Sequence, residues 1–366
     1  MHIFAFLHEY GTLRSVSSSS PATLPRAELF RLLGDEDRLR LLALCEADEL
    51  TVGELATLLD ESQPQITRKS QPLRDAGLLQ ARRDGTRTLL HADPPTDPIV
   101  LAGLEAGRSL CLGEGRLARV PAVIAQREET ARHLFGEGDG RARASGDSTP
   151  AAARAGASGS GSGVAVAGNA NAARIAVERA LLPLLGIVMP LLPGRALAID
   201  VGTGEGTLLP ILSPLYERVM AVDRSPARLA RAAEHTAALG LPNVRLRQVE
   251  VDDANLVQEI ARAGGADLVV LAQVLHHVAR PQSLVTSAAR LLRPHGHLAI
   301  VDHLAHDDER LRERGHVWLG FEPARLRELL EGARLEPVAL SLLRSDETPP
   351  LQLAVGRRTQ EAPPPP

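Results

Sequence analysis

Ala198-Ile199-Asp200-Val201-Gly202-Thr203-Gly204-Glu205-Gly206-Thr207 carries the clearest chemistry in the chain: an apolar strand ends on an acid, and three alternating glycines open the next helix. Glycine lacks a Cβ and accepts positive φ, so the backbone turns sharply and a ligand can lie against it at a helix N-terminus. This reads as a loop for a nucleotide-type cofactor. A dinucleotide fingerprint, GxGxxG, needs its third glycine at position 207, where Thr207 stands; Gly206 comes one residue early, giving DxGxGxG. Arg218–Asp223 is a second short apolar strand ending on an acid, placed where such sheets put the carboxylate that accepts hydrogen bonds from ribose hydroxyls. A helix over 226–239 and a third strand over 244–249 follow, with Glu250, Asp252 and Asp253 behind that strand.

The DxGxGxG form resembles motif I of class I S-adenosylmethionine (SAM) methyltransferases. Further on, Ala266-Asp267-Leu268-Val269-Val270-Leu271 leads through Gln273 to Leu275-His276-His277-Val278; a helix to Leu292, a turn at Arg293-Pro294-His295-Gly296-His297 and the strand Leu298 to Val301 complete the passage. It resembles the ubiquinone/menaquinone-type methyltransferases over roughly 180–355. The resemblance implies an α/β, Rossmann-like domain with SAM as cofactor, bound by Asp200, Gly202, Thr203, Gly204, Gly206, Asp223, Arg224 and Gln273. Against the family pattern either Glu250 or Asp253 takes the adenine position, and both registers stay open. SAM carries an ammonium and a sulfonium but no phosphate, so acids at strand tips suit its charge. His277 falls near the transferable methyl, as a base or cavity lining, with a satisfied structural histidine as the alternative. Trp318 and Phe321 lie where such enzymes place cap or substrate contacts; core packing accounts for them equally.

The N-terminal part reads as compact helices followed by a hairpin. Residues 24–33 have helical apolar spacing, Asp35 is placed to cap a helix through Leu44, and Thr51-Val52-Gly53-Glu54 and Ser62-Gln63-Pro64-Gln65 are capping boxes opening two further helices. Two capped helices around a short turn make a helix-turn-helix. Strands over 78–83 and 86–90 flank Asp84-Gly85, favoured chemistry for a tight hairpin turn, here a wing. The wording over residues 24–92 resembles the ArsR/SmtB winged-helix regulators, implying double-stranded operator DNA as partner and a homodimer. Between Ser62 and Leu90 six basic residues face two acids, a local surplus suited to phosphates. The candidate DNA contacts are Gln63, Gln65, Thr67, Arg68, Lys69, Arg74, Arg82, Arg83 and Arg87. Pro72 removes a backbone donor, which predicts that the recognition helix bends or ends there.

With 366 residues, the chain has length for two domains. The reading places a disordered tail at 1–22, the winged helix at 23–95, a helical extension and possible dimer interface at 96–135, a Gly/Ala/Ser-rich linker at 136–170, the SAM domain at 171–357 and a tail at 358–366. Residues 180–192 read as a helix at the edge of the SAM-domain sheet. A net charge of −4 excludes a uniformly basic chain, and 2% aromatic residues exclude a base-stacking platform for single strands. Cys45 and Cys111, the only cysteines, fit a reducing cytoplasm and core packing. The stretch Leu50–Glu54, where many ArsR proteins carry thiolate metal sensors, has none. His303, His306, His316 and Asp307 could bracket a metal, but their spacing matches no zinc pattern, so no metal is expected.

No NPPY-like segment follows the fourth strand, and neither cysteine lies in the methyltransferase-like half. DNA-base amino groups, cytosine C5 and cysteine-dependent arsenite methylation are therefore disfavoured as targets, which leaves a small-molecule acceptor. Two functions fit: a working methyltransferase tethered to a regulator, or a non-catalytic regulator whose methyltransferase-like domain senses SAM or S-adenosylhomocysteine.

Overall fold

A computed structural model of the chain describes residues 25–92, 97–127 with 129, 194–343 and 349–359. The N-terminal tail, the linker over 136–170, the segment 180–192 and residues 360–366 lie outside the described residues. The chain divides into two compact units, essentially before and after Val120.

The first unit runs α1 (Arg26–Leu33), α2 (Glu36–Ala47), β1 (Leu50–Thr51), α3 (Val52–Leu59), α4 (Gln63–Asp75), β2 (Gln80–Asp84), β3 (Arg87–His91), α5 (Pro98–Gly113) and the start, through Val120, of α6 over 116–127. Its sheet has the order β1-β3-β2. Asp35 accepts from the backbone N–H groups of Asp37 and Arg38 at 3.0 and 3.2 Å, starting α2. At α3 the Thr51 hydroxyl accepts from Glu54 N at 3.1 Å while the Glu54 carboxylate accepts from Thr51 N at 2.8 Å. Gln65 likewise accepts from Ser62 N at 3.0 Å at the start of α4. Each bond satisfies an amide that a helix start otherwise leaves unpaired. Leu41, Leu42, Leu55, Leu58, Ile66 and Leu73 are fully buried and fasten the helices together.

Two local expectations are corrected. α4 continues through Pro72 to Asp75: buried Leu73 anchors the last turn, Ala76 N bonds to Pro72 O at 3.1 Å, and Gly77 at φ 69° closes the helix as Leu78 N bonds to Leu73 O at 2.9 Å. The wing turn is Gly85-Thr86 instead of Asp84-Gly85, because Gly85, at φ 59°, takes the first turn position while Asp84 stays in β2.

The second unit is a seven-stranded sheet in the order β6-β5-β4-β7-β8-β10-β9. The strands are β4 (Leu197–Val201), β5 (Arg218–Asp223), β6 (Val244–Gln248), β7 (Ala266–Ala272), β8 (Leu292–His303), β9 (Leu335–Leu343) and β10 (Leu351–Arg358). The first five are parallel, and β10 runs antiparallel between β8 and β9. The connecting helices include α7 (Leu209–Leu212), α8 (Pro226–Ala238), α9 (Ala254–Arg262), α10 (Pro281–Arg290) and α11 (Pro323–Gly332). β4 and β7 are buried almost throughout, as strands covered on both faces must be. The order reverses between β4 and β7, and a crevice forms outside the carboxyl ends of strands at such a switch point. The turn expected at 293–297 is an excursion inside β8: the β7–β8 pairing jumps from Ala266↔Leu292 to Leu268↔His297, and His295 adopts φ 61°.

Candidate cofactor site and nucleic-acid face

At the tip of β4, Gly202, Gly204 and Gly206 all have positive φ, at 71°, 56° and 80°. Gly202 N and Thr203 N bond to Val222 O at 2.8 and 3.1 Å, tying the loop to β5. A side chain at Gly202 would strike Val274, and one at Gly206 would strike Leu209; a Cβ on Gly204 meets no protein atom nearer than 4.0 Å, because it opens on a cavity. Gly206 therefore serves helix packing, while Gly204 borders the ligand space. The Asp223 carboxylate accepts from Gly204 N at 2.9 Å and from Ser225 N at 2.8 Å.

Two cavities flank this loop. One, of about 310 Å³, is lined by Gly202, Asp223, Arg224, Glu250, Val251 and Gln273 among others. The second, of about 370 Å³, includes Asp200, Thr203, Gly204, His276, His303 and His316. They share Gly202, Arg228, Gln273 and His277. Glu250 thus faces the first cavity. Asp253 is turned away to cap α9, accepting from Leu256 N at 2.9 Å, which explains why a register ambiguous in sequence puts only one of these acids at the cleft. Arg228, Ser225 and Val251 were not predicted from sequence; only their positions just beyond the strand tips mark them.

Asp200 is buried and accepts from the Thr203 hydroxyl at 2.6 Å. Burial pushes its carboxyl up to about 6, with the Thr203 bond opposing and the nearby Asp223 charge reinforcing the rise. Gln273, at the end of β7, holds φ 56°, a conformation unusual for a residue with a side chain and typical of ligand sites; its N–H is tied to Val301 O at 2.7 Å. His277 donates from Nδ1 to Gly315 O at 2.9 Å, which makes Nε2 the basic nitrogen of the ring, and burial pushes its imidazole down to about 4.

A histidine cluster lines the second cavity. His276 is buried and its Nδ1 lies 2.7 Å from Asp302, itself fully buried. The His276 ring lies tilted 4.2 Å from His316 and 4.9 Å from His303, centroid to centroid. Val317 N and Trp318 N both bond to His276 O, at 2.8 and 3.1 Å, which clamps the segment carrying His316 over the cluster. Burial lowers the pKa of His276, His303 and His316 alike, holding them neutral. Trp318 and Phe321 are buried, and Trp318 Nε1 donates to Val278 O at 2.6 Å; both pack behind the cavity and do not line it.

The residues present fit SAM. Glu250 and the two strand-tip acids suit a ligand bearing positive charge and a ribose diol, and would repel a pyrophosphate; the open space at Gly204 admits a ligand against bare backbone.

On α4, Gln63, Gln65, Thr67 and Arg68 are exposed, and Gln63, Thr67, Arg68 and Gln71 border a shallow groove. The predicted cationic face is thinner than the sequence indicated. Lys69 is held by Asp37 at 2.7 Å and Glu61 at 2.5 Å, and Arg82 by Glu49 at 2.9 Å. Arg74 is half-buried and bonds to Gln71 at 3.2 Å, while Arg83 and Arg87 on the wing are exposed. Cys45 and Cys111 are buried; burial raises both thiols, Cys111 to about 11, and so keeps them protonated.

Fold and site together define the second unit as a Rossmann-like, class I SAM methyltransferase domain. A family model for a methyltransferase domain matches residues 196–327. Ubiquinone biosynthesis O-methyltransferase of Acinetobacter baumannii is 32% identical over 100 residues, 27% of this chain and 40% of that protein. The N-terminal region matches the arsenical resistance operon repressor of Escherichia coli K12, 49% identical over 59 residues, 16% of this chain and half of the repressor. The chain thus spans half or less of the length of these relatives. Among solved structures, the N-methyltransferase NodS of Bradyrhizobium japonicum with bound S-adenosylhomocysteine is similar at 19% identity and a TM-score of 0.40, covering 50% of this chain and 87% of that one. The chain joins an ArsR-type region to a class I SAM methyltransferase domain, with SAM as cofactor. No described helix is long and apolar enough to cross a membrane.

Proposed function

We propose that the chain is an ArsR-type, DNA-binding transcriptional regulator that also catalyses SAM-dependent methyl transfer to a small-molecule acceptor. The observation that carries the catalytic part is the meeting of two cavities at Gly202, Gln273 and His277. The second cavity takes the amino-acid end of the cofactor at Asp200 and Gly204 and continues past it to His276, His303 and His316, where an acceptor has room.

SAM supplies an electrophilic methyl on a sulfonium. Asp223 and Glu250 hold the adenosine end, while Gly202, Gly204 and Asp200 receive the amino-acid end. Gln273, fixed in its conformation by β8, sits where the two cavities join. His277, with Nδ1 committed to Gly315, offers Nε2 to the acceptor's proton. Most of the acceleration comes from holding nucleophile and methyl in attack geometry.

For the first unit, exposed Gln63, Gln65, Thr67 and Arg68 on α4 support major-groove reading, with Arg83 and Arg87 of the wing on phosphates. Exposed Phe30 on α1 and Leu101 and Leu112 on α5 support a homodimer through those helices.

Methyl-labelled SAM incubated with the full chain and a cell-extract metabolite pool tests the enzyme: label in a small-molecule product is expected. If no product forms while SAM and S-adenosylhomocysteine change operator affinity differently, the domain is a sensor instead.

A further inference from the structure

We propose that His276, His303 and His316 bind a divalent transition-metal ion of the zinc class, with an open coordination position facing the cavity shared with the cofactor. These residues come from three separate places: the turn after β7, the end of β8, and the segment before Trp318. Each offers one ring nitrogen, and those nitrogens all lie within 4.8 Å of one another. Three imidazoles around a tetrahedral zinc at roughly 2.0–2.1 Å stand roughly 3.4 Å apart, so rotation of half-buried His316 and His303 inward by about an ångström completes the set.

The hydrogen bonding prepares the donors. Asp302 takes Nδ1 of His276 at 2.7 Å and is itself fixed by Leu275 N at 3.0 Å and His303 N at 2.8 Å. That is the carboxylate–histidine arrangement that orients a metal-binding imidazole, and it frees Nε2 of His276. The Nδ1 of His303 is buried without a partner. His316 Nδ1 is also buried and unpartnered. Buried polar atoms are almost always paired, so unpartnered nitrogens on two of the three rings of this cluster call for a partner. Three imidazoles and no thiolate suit zinc and its neighbours over soft or all-oxygen cations.

The role of the ion deepens the methyltransferase reading and rests on it. An acceptor hydroxyl entering the second cavity ligates the open position and becomes more acidic. Its proton passes to His277 Nε2; the oxygen bonds to the methyl carbon as the carbon–sulfur bond breaks, its electron pair staying on sulfur. Products are the methyl ether, S-adenosylhomocysteine and a protonated His277.

The test uses the full chain, stripped with a chelator and titrated with Zn2+ by calorimetry and with Co2+ by visible absorption. SAM calorimetry and circular dichroism run in parallel. One equivalent of Zn2+ is expected, with a cobalt spectrum of low coordination number, and His316→Asn and His303→Asn should each weaken binding by at least about 100-fold with SAM binding retained. His276→Asn is avoided as the sole probe because it strands buried Asp302. Absence of Zn2+ binding in a folded, SAM-binding protein overturns the metal site, as does binding undiminished in both variants. Zn2+ binding without SAM binding overturns the methyltransferase reading alone.

Discussion

The carboxylate of Asp223 accepts the backbone N–H of Gly204 at 2.9 Å, joining the tip of β5 to the middle of the glycine loop on β4. One residue thereby has two tasks, facing the first cavity and holding the loop that separates it from the second.

Asp223→Ala is expected to weaken SAM binding by more than loss of one ligand contact, because two backbone amides lose their charged acceptor at about 1.5–3 kcal/mol each. Gly204→Val should abolish binding through both positive φ and a side chain in the ligand space. Calorimetry reads both, and unchanged DNA affinity of the same proteins locates the damage in the second unit.

Asp200 gives a pH signature. Its folded pKa of about 6 lies above the ordinary aspartate value of 3.8, so the native state binds the extra proton between them, and stability from this group falls as pH rises through that window. At pH 7 the cost of the buried charge is about 3 kcal/mol. Asp200→Asn should make the ligand-free second unit more stable to urea at pH 7 and leave it unchanged below pH 4, yet bind SAM poorly. In the parent protein, SAM affinity should drop as pH falls through about 6.

Arg68 and Lys69 are neighbours with different expected roles. Arg68→Ala should lower the salt slope of DNA binding by about one unit. Lys69→Met should leave that slope nearly unchanged, because its charge is already spent on Asp37 and Glu61, and should lower thermal stability by stranding those acids.

Gly107 tests the scaffold of the first unit. A Cβ there would lie 2.2 Å from Leu39 O, so α5 crosses α2 at this glycine. Gly107→Val should cost about 1–3 kcal/mol by overpacking, seen as early melting of the first unit with SAM binding intact.

Much of the architecture was legible because it rests on local signals. Asp35, Thr51 and Ser62 cap the helices they were expected to cap, and the DxGxGxG spacing marks the loop at the switch point. What escaped depends on distance along the chain. Lys69 is neutralised by an acid 32 positions away, and no local charge count registers that. The histidine cluster draws His276 from one strand end and His303 from another, so no spacing rule applies, and Asp307, which spacing had grouped with them, is exposed. Pro72 stays helical because tertiary burial of Leu73 outweighs one missing amide.

The antiparallel insertion of β10 beside β8 has a bearing on biosynthesis. Leu351 pairs with His303 and Gln352 with Asp302, so the strand that positions these side chains acquires its neighbour only after nearly all of the described sequence has left the ribosome. A nascent or prematurely terminated polypeptide therefore presents a raw hydrogen-bonding edge on β8, and the first unit can be assembled before the sheet of the second is closed.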